Sequence, residues 1–296
     1  MITSQAQSYS AELGRAAASP SGPFREKRAS ALPPPDKIRA LNRESGHIRA
    51  DSFDCPPPVR IPELGLLVKY GSHVTVHEAK TQMIIREKLL GRVPIPEVFG
   101  WIVDGRQVFI YMQLIQGETL EERWHNLDGA ERRSICSQLG TMVAAWRSLT
   151  PPDDLGCYIG SLCGQPLNDI FLQHRPELVG PFEGPDAVEQ FQNACGIDIP
   201  QRSAIVFTHA DLVAPNIMLS TGPDPTVVAV IDWAQAGWYP SYWEFCKARR
   251  VELAAQYFNG DIQDEWRAKY LPLVLDAVDD ETCYHPWLYF VLSKGI

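Results

Sequence analysis

At 296 residues the chain is long enough to bury a large core and close to the length at which one core divides into two, and its 45% hydrophobic and 21% charged content excludes a disordered chain overall. A formal net charge of −9 argues against sequence-independent nucleic-acid binding, which needs a basic face, and leaves a cationic small molecule open as a partner. The seven cysteines are odd in number and form no Cys-x-x-Cys pair, which points away from a disulfide framework or a zinc site and toward the reduced thiols of a cytoplasmic protein.

Residues 1–40 are rich in Ala, Ser and Pro and carry no sustained apolar period, so they are expected to form a flexible tail. The stretch AELGRAAA leaves room for a short helix there. Arg15, Arg25, Lys27 and Arg28 faintly resemble a mitochondrial leader, and Glu12 and Glu26 count against one. No apolar run approaches the length of a membrane span, so no membrane partner is expected.

From Gly46 to Gly71, HIRADS and RIPELGLLVKYG are two candidate strands separated by a proline cluster, and the second ends near Lys69. Val76, Ala79, Met83, Ile84 and Leu90 then mark a helical stripe, opened by Thr75 and Glu78 at capping-box spacing. Pro94 and Pro96 stop that helix, and EVFGWIVD and QVFIYMQLI follow as strands around an Asp-Gly-Arg turn.

The clearest helix runs from Asp128 to Leu149, with Asp128 and Glu131 at cap and third position and Ile135, Leu139, Met142, Val143 and Trp146 on one stripe. Glycines and prolines punctuate residues 153–200, which read as loops and short helices. Asp153, Asp154, Asp169 and Glu183 are candidates there for meeting a cationic substrate, set against the plain reading of each as surface charge. After Trp243, EFCKARRVELAAQYF and DEWRAKYLPLVLDAV read as two amphipathic helices.

The stretch that carries chemistry lies between these halves. An apolar run, AIVF, delivers HADLVAPN, a loop with His209, Asp211 and Asn216; TGPDP has the turn chemistry to fold the next strand back and return Asp232 beside Asn216. An amide oxygen and a carboxylate so placed suit Mg²⁺, which takes hard oxygen ligands and shares them with phosphates. Taken singly, each residue could be a cap, a turn residue or a core histidine. Four in this order between apolar strands favour a phosphoryl-transfer site.

HADLVAPN resembles the catalytic loop of the aminoglycoside phosphotransferase and choline-kinase branch of the protein-kinase-like fold, VAVIDW resembles its metal-binding strand, and IDWAQAGWYPSYWEFCKA is similar to fungal phosphotransferase-family proteins of unassigned substrate. The resemblance covers roughly residues 60–260. It implies a two-lobed α+β fold, with a β-rich N-lobe over 41–115 and a larger, mostly helical C-lobe over 116–296. It implies an ATP-dependent transfer to a small-molecule hydroxyl, with Asp211 as base, Asn216 and Asp232 on Mg²⁺, and Lys69 on the phosphates, held by Glu78 or, less well, by Glu87. Gln113 and Ile115 would offer a backbone carbonyl and amide to adenine, and Glu244 would brace the catalytic loop. The Gly-rich segment followed by GPF is similar to material that could cover a substrate cleft.

Two departures matter. No G-x-G-x-x-G precedes Lys69, so phosphate cover would have to come from another turn, near Arg43–Ser52; this favours the rival reading, an inactive pseudokinase or binding module. No arginine precedes Asp211, and the segment from Asp232 to Pro240 is short, which disfavours a protein substrate.

Overall fold

In the computed structural model, which describes residues 32–151, 156–162 and 164–294, the alternating stretch between Val59 and Gln113 becomes one antiparallel sheet. Helix α1 (Pro35–Glu44) precedes strands β1 (Val59–Ile61) and β2 (Leu66–Gly71), then α2 (Val76–Lys88), β3 (Val98–Asp104) and β4 (Gln107–Gln113), and the strand order is β1-β2-β4-β3. Successive side chains of a strand face opposite ways. Leu66, Val68 and Tyr70 therefore pack with Ile38, Phe99, Phe109 and Tyr111, whereas Leu67 lies on the other face with Val74, Ala79, Val98 and Ile110. Lys69 shares the face of Leu67, the one α2 covers.

Helix α1 begins within the stretch expected to be tail. Proline at its first turn suits a helix start, Ile38 is fully buried, and the Tyr111 hydroxyl donates to the Pro33 carbonyl at 2.6 Å. The short helix expected around AELGRAAA lies outside the described residues. HIRADS is not a strand, because the amides that would build one are used locally: Ala50 donates to the His47 carbonyl and Arg49 to the His47 ring.

The chain divides into two units, one ending at Met83 and taking in Pro96–Leu114, the other made of Ile84–Ile95 and everything from Ile115 on. The piece 84–95 goes with the second because Ile85, Leu89, Val93 and Ile95 sit in its core. That unit continues with β5 (Glu118–Thr119), α3 (Leu120–Arg123), α4 (Gly129–Arg147), β6 (Tyr158–Ser161), β7 (Phe182–Glu183) and α5 (Ala187–Cys195). Then come β8 (Ile205–Thr208), β9 (Ile217–Leu219), β10 (Val227–Val230), β11 (Gly237–Pro240), α6 (Trp243–Arg250), α7 (Gly260–Glu265), α8 (Leu271–Val274) and α9 (His285–Lys294). Its two small sheets run β10-β9-β5 and β7-β6-β11-β8. The expected α+β class, sheet-rich first and helix-rich after, is what the chain adopts. Among the described residues no helix is long and apolar enough to cross a membrane.

The helix expected over residues 244–258 stops at Arg250. Arg267 donates to the carbonyls of Arg249 and Val251, satisfying the groups a further turn would have used. The next expected helix breaks into α7, a π-helical turn at Trp266–Tyr270 and α8, where Pro272 supplies no N–H.

Gly140, in the middle of α4, is there because a Cβ would stand 2.8 Å from the Leu273 carbonyl oxygen. Gly140→Ala gains about 1 kcal/mol of helix propensity, but the contact is with backbone and overpacking costs about 1–3 kcal/mol. A net loss of stability is expected in urea unfolding, and a stabilised variant would show that α8 yields.

Candidate active site

Strand β8 pairs with β11 from Ile205↔Pro240 to Thr208↔Gly237, which delivers His209, Ala210 and Asp211 at the sheet's end. Ala210 has φ 63°, a left-handed conformation that disfavours a non-glycine residue by about 1–2 kcal/mol. Contacts on both sides hold it. The Ala210 N–H donates to Glu244 Oε1 at 3.0 Å, and the Asp211 N–H donates to His209 Nδ1 at 3.2 Å.

His209 is fully buried, with its ring 4.4 Å from that of Trp233. A backbone N–H can only donate, so Nδ1 is unprotonated; a carbonyl can only accept, so Nε2–H donates to the Ile231 oxygen at 3.0 Å. The neutral ring thus ties the Asp211 loop to the residue before Asp232. Burial brings its pKa down to about 4 against the opposing pull of the Ile231 carbonyl and Asp232.

The turn after β9 folds back, Ser220 N–H donating to the Thr226 carbonyl, and sets Ile217 opposite Val230. Ile231 N–H then donates to the Asn216 carbonyl at 2.9 Å, so Asp232 follows directly beside Asn216. Asn216 Nδ2 donates to both the Asp211 carbonyl (2.9 Å) and Asp211 Oδ2 (3.0 Å). This orients the amide: its oxygen faces away from Asp211, and among the described residues nothing donates to it. Asp232, also left-handed at φ 62°, opens the turn Trp233–Gln235. Burial raises the Asp211 carboxyl above the ordinary range, and Asp232 and Asp169 push the same way; Lys247 and the Asn216 bond oppose them.

Two hard oxygen donors, from Asn216 and Asp232, fit Mg²⁺. Among the described residues no cluster of three His, Cys, Asp or Glu side chains could hold a metal.

In the first unit Lys69 Nζ lies 2.6 Å from Glu78 Oε1, and the Glu78 side chain is 5% exposed. Thr75 Oγ1 accepts the Glu78 N–H at 3.2 Å, so the threonine half of the capping box forms while the carboxylate reaches the lysine. The alternative, Glu87, is exposed. Gln113 ends β4 with its N–H on the Glu97 carbonyl, and among the described residues nothing accepts the Ile115 N–H. The stretch 43–52, expected to cover phosphates, is the end of α1 and a turn. Beside it the Phe53 and Asp54 carbonyls accept the N–H groups of Ser72 and His73. Gly71, at φ 143°, is needed because a Cβ would strike the Asp54 carbonyl.

Asp169 does not meet a substrate: it is fully buried and its Oδ1 accepts from Lys247 Nζ at 2.8 Å. Glu183 is exposed in β7, and Asp153 and Asp154 lie outside the described residues. Lys247 itself gave no signal beyond following Glu244 by three residues on a helix otherwise lined by Trp243, Phe245 and Cys246.

The His209 ring has a measurable consequence for stability. Its folded pKa, about 4, lies below the ordinary imidazole value of about 6.5, so the unfolded chain binds the extra proton. Its contribution is complete above pH 6.5 and falls as pH drops toward 4, by about 3 kcal/mol in all. Glu244 and Asp211, raised by burial, act in the opposite sense, losing stabilisation as pH rises. The wild-type minus His209→Gln difference in urea stability is therefore expected to shrink between pH 6.5 and 4. A pH-independent difference would contradict the neutral, buried ring.

A family model described as "Phosphotransferase enzyme family" matches residues 33–281. No curated protein matches the chain. Among solved structures, the chain is similar to aminoglycoside phosphotransferase APH(4)-Ia, with 15% identity and TM-score 0.49 over 85% of this chain and 88% of that one. The gentamicin–APH(2")-IIa complex aligns with 16% identity and TM-score 0.47 over 82% and 85%. A thermostable APH(4)-Ia mutant in ternary complex with AMP-PNP and hygromycin B aligns with 17% identity and TM-score 0.43 over 64% of this chain and 65% of that one, just short of two thirds of its length.

Proposed function

This chain belongs to the phosphotransferase enzyme family, and from that premise we propose that it transfers the γ-phosphoryl group of ATP to a hydroxyl of a small molecule. The observation that carries the reading is the Asn216 amide bonded to both the backbone and the carboxylate of Asp211, next to the strand that returns Asp232. Base and metal-ligand residues then share one hydrogen-bonded frame.

In this reading Asp211 accepts the acceptor's hydroxyl proton as the oxygen–phosphorus bond forms and the bond to the ADP oxygen breaks. Burial raises its pKa, which makes it a stronger base than an exposed aspartate. Asn216 and Asp232 would hold Mg²⁺, which when bound neutralises charge on the phosphates. Lys69, aimed by Glu78, would supply a positive charge to nucleotide phosphate, and Gln113 and Ile115 would offer backbone groups to adenine. The net charge of −9 favours an amine-bearing alcohol as acceptor.

Purified protein with Mg²⁺-ATP, screened against aminoglycosides, choline-like amines, sugars and amino alcohols, should yield ADP and an acceptor heavier by one phosphoryl group. Nucleotide binding with no transfer to any of them would favour the binding-module reading, which the lack of a Gly-rich loop keeps in play.

The Lys69–Glu78 pair gives a second check. Lys69→Met and Glu78→Gln should each weaken Mg²⁺-ATP binding, and the double variant should be little worse than either, because contacting residues couple by about 0.5–3 kcal/mol. Strictly additive losses would leave Glu78 with no role beyond the start of α2.

A further inference from the structure

Lys247 is buried at 2% exposure and its ammonium makes two side-chain hydrogen bonds, to Asp169 Oδ1 at 2.8 Å and to Gln235 Oε1 at 2.6 Å. Gln235 ends the turn that Asp232 opens. The knot continues around it: Trp243 Nε1 donates to Asp169 Oδ2 and the Tyr239 hydroxyl to the Gln235 carbonyl, both buried, and the half-buried Ile170 N–H donates to Gln235 Oε1. Asn168 Nδ2 donates to the Ala234 carbonyl at 3.0 Å, so the loop after β6 is tied to the same turn.

Three residues earlier on α6, Glu244 holds the Ala210 N–H. Positions i and i+3 lie on one helix face. One rigid element therefore grips both the loop carrying Asp211 and the turn beginning at Asp232. Stability is a poor reason to bury an ion pair here, since apolar replacements of such pairs are often neutral or stabilising. Geometry is a better one, because a misplacement of about 1 Å can lower turnover about 100-fold.

We propose that Lys247 is a positioning residue: through Gln235 and Asp169 it fixes the Asp232 turn relative to the Asp211 loop, with Glu244 as the second anchor on α6. Only the catalytic consequence rests on the phosphotransferase reading; the mechanical one stands on the contacts alone.

The test is the full chain carrying Lys247→Met with Asp169→Asn, which removes the pair without leaving a lone buried charge. Amide exchange should accelerate at least tenfold at Ile170 and Ala236, while Leu139 and Val143 in α4 keep their protection. With an acceptor in hand, kcat should fall about tenfold or more with KM for the acceptor unchanged. Exchange that rises equally in α4 would reduce Lys247 to a contributor to global stability and overturn the proposal, as would unchanged exchange at Ala236. A wild type that transfers no phosphate, alongside the local exchange change, would remove the enzymatic reading and leave the strut standing. Should the double variant fail to fold, Gln235→Leu cuts the link from its other end and is read by the same two measures.

Discussion

Asp211→Asn should leave nucleotide binding nearly intact and reduce phosphoryl transfer by about 10²–10⁴-fold, which corresponds to about 3–5 kcal/mol of transition-state stabilisation. The substitution is nearly isosteric, and an asparagine oxygen can still accept from Asn216 Nδ2, which now lies 3.0 Å from Asp211 Oδ2. It also removes a carboxyl that burial already disfavours as an anion, so the fold should survive. The measurement pairs an ATP-induced thermal shift with product formation on whichever hydroxyl compound the screen identifies. Undiminished turnover would take the base assignment away from Asp211, and efficient phosphorylation of a peptide library would take away the small-molecule acceptor.

The second large effect is expected at Asp232. Asparagine tolerates the left-handed conformation held there, φ 62°, better than alanine does, so Asp232→Asn removes the charge with the least backbone strain. The Mg²⁺-dependent part of the nucleotide's stabilisation should vanish; for a ligand at a hundred times its Kd the full linkage is about 2.7 kcal/mol. Thermal melts with ATP, with and without Mg²⁺, read this directly. A variant that keeps the whole Mg²⁺ increment would relocate the metal away from the Asn216–Asp232 pair.

The sites of these two substitutions were legible in the sequence because they are local. His209, Asp211, Asn216 and Asp232 lie within one loop and one hairpin, and the TGPDP turn fixes the register that returns Asp232 to Asn216. Lys69 and Glu78 are nearly as local, a strand end followed by the first turn of the next helix. Their pairing needed only the period-2 face of β2 to be known. Periodicity also gave α4 its extent, and residue type at capping-box spacing gave its N-cap Asp128 and the partner Glu131.

Other features needed the tertiary structure. The tail reading failed at Pro35 because α1 has a short apolar face whose partners, Phe109 and Tyr111, come some seventy residues later. Helix α6 ends where an arginine from a later turn takes its last carbonyls, and no residue inside 244–258 announces that. Asp169 read as a surface carboxylate because its partner Lys247 is 78 residues away. Residue type alone makes both of them solvent-facing by default.

The arrangement of the candidate site was thus determined by the sequence itself: which side chains are present, in what order, and on which short loops, since hydrogen bonds across a few residues and a tight turn leave the chain little choice. The tertiary structure decided what restrains that arrangement. Whether a charged side chain meets water or a buried partner depends on the dielectric around it and on segments brought together from far along the chain, so Asp169 and Lys247 met only when α6 was packed beneath the Asp211 loop and the Asp232 turn, where Glu244 takes the bracing place that the resemblance implied.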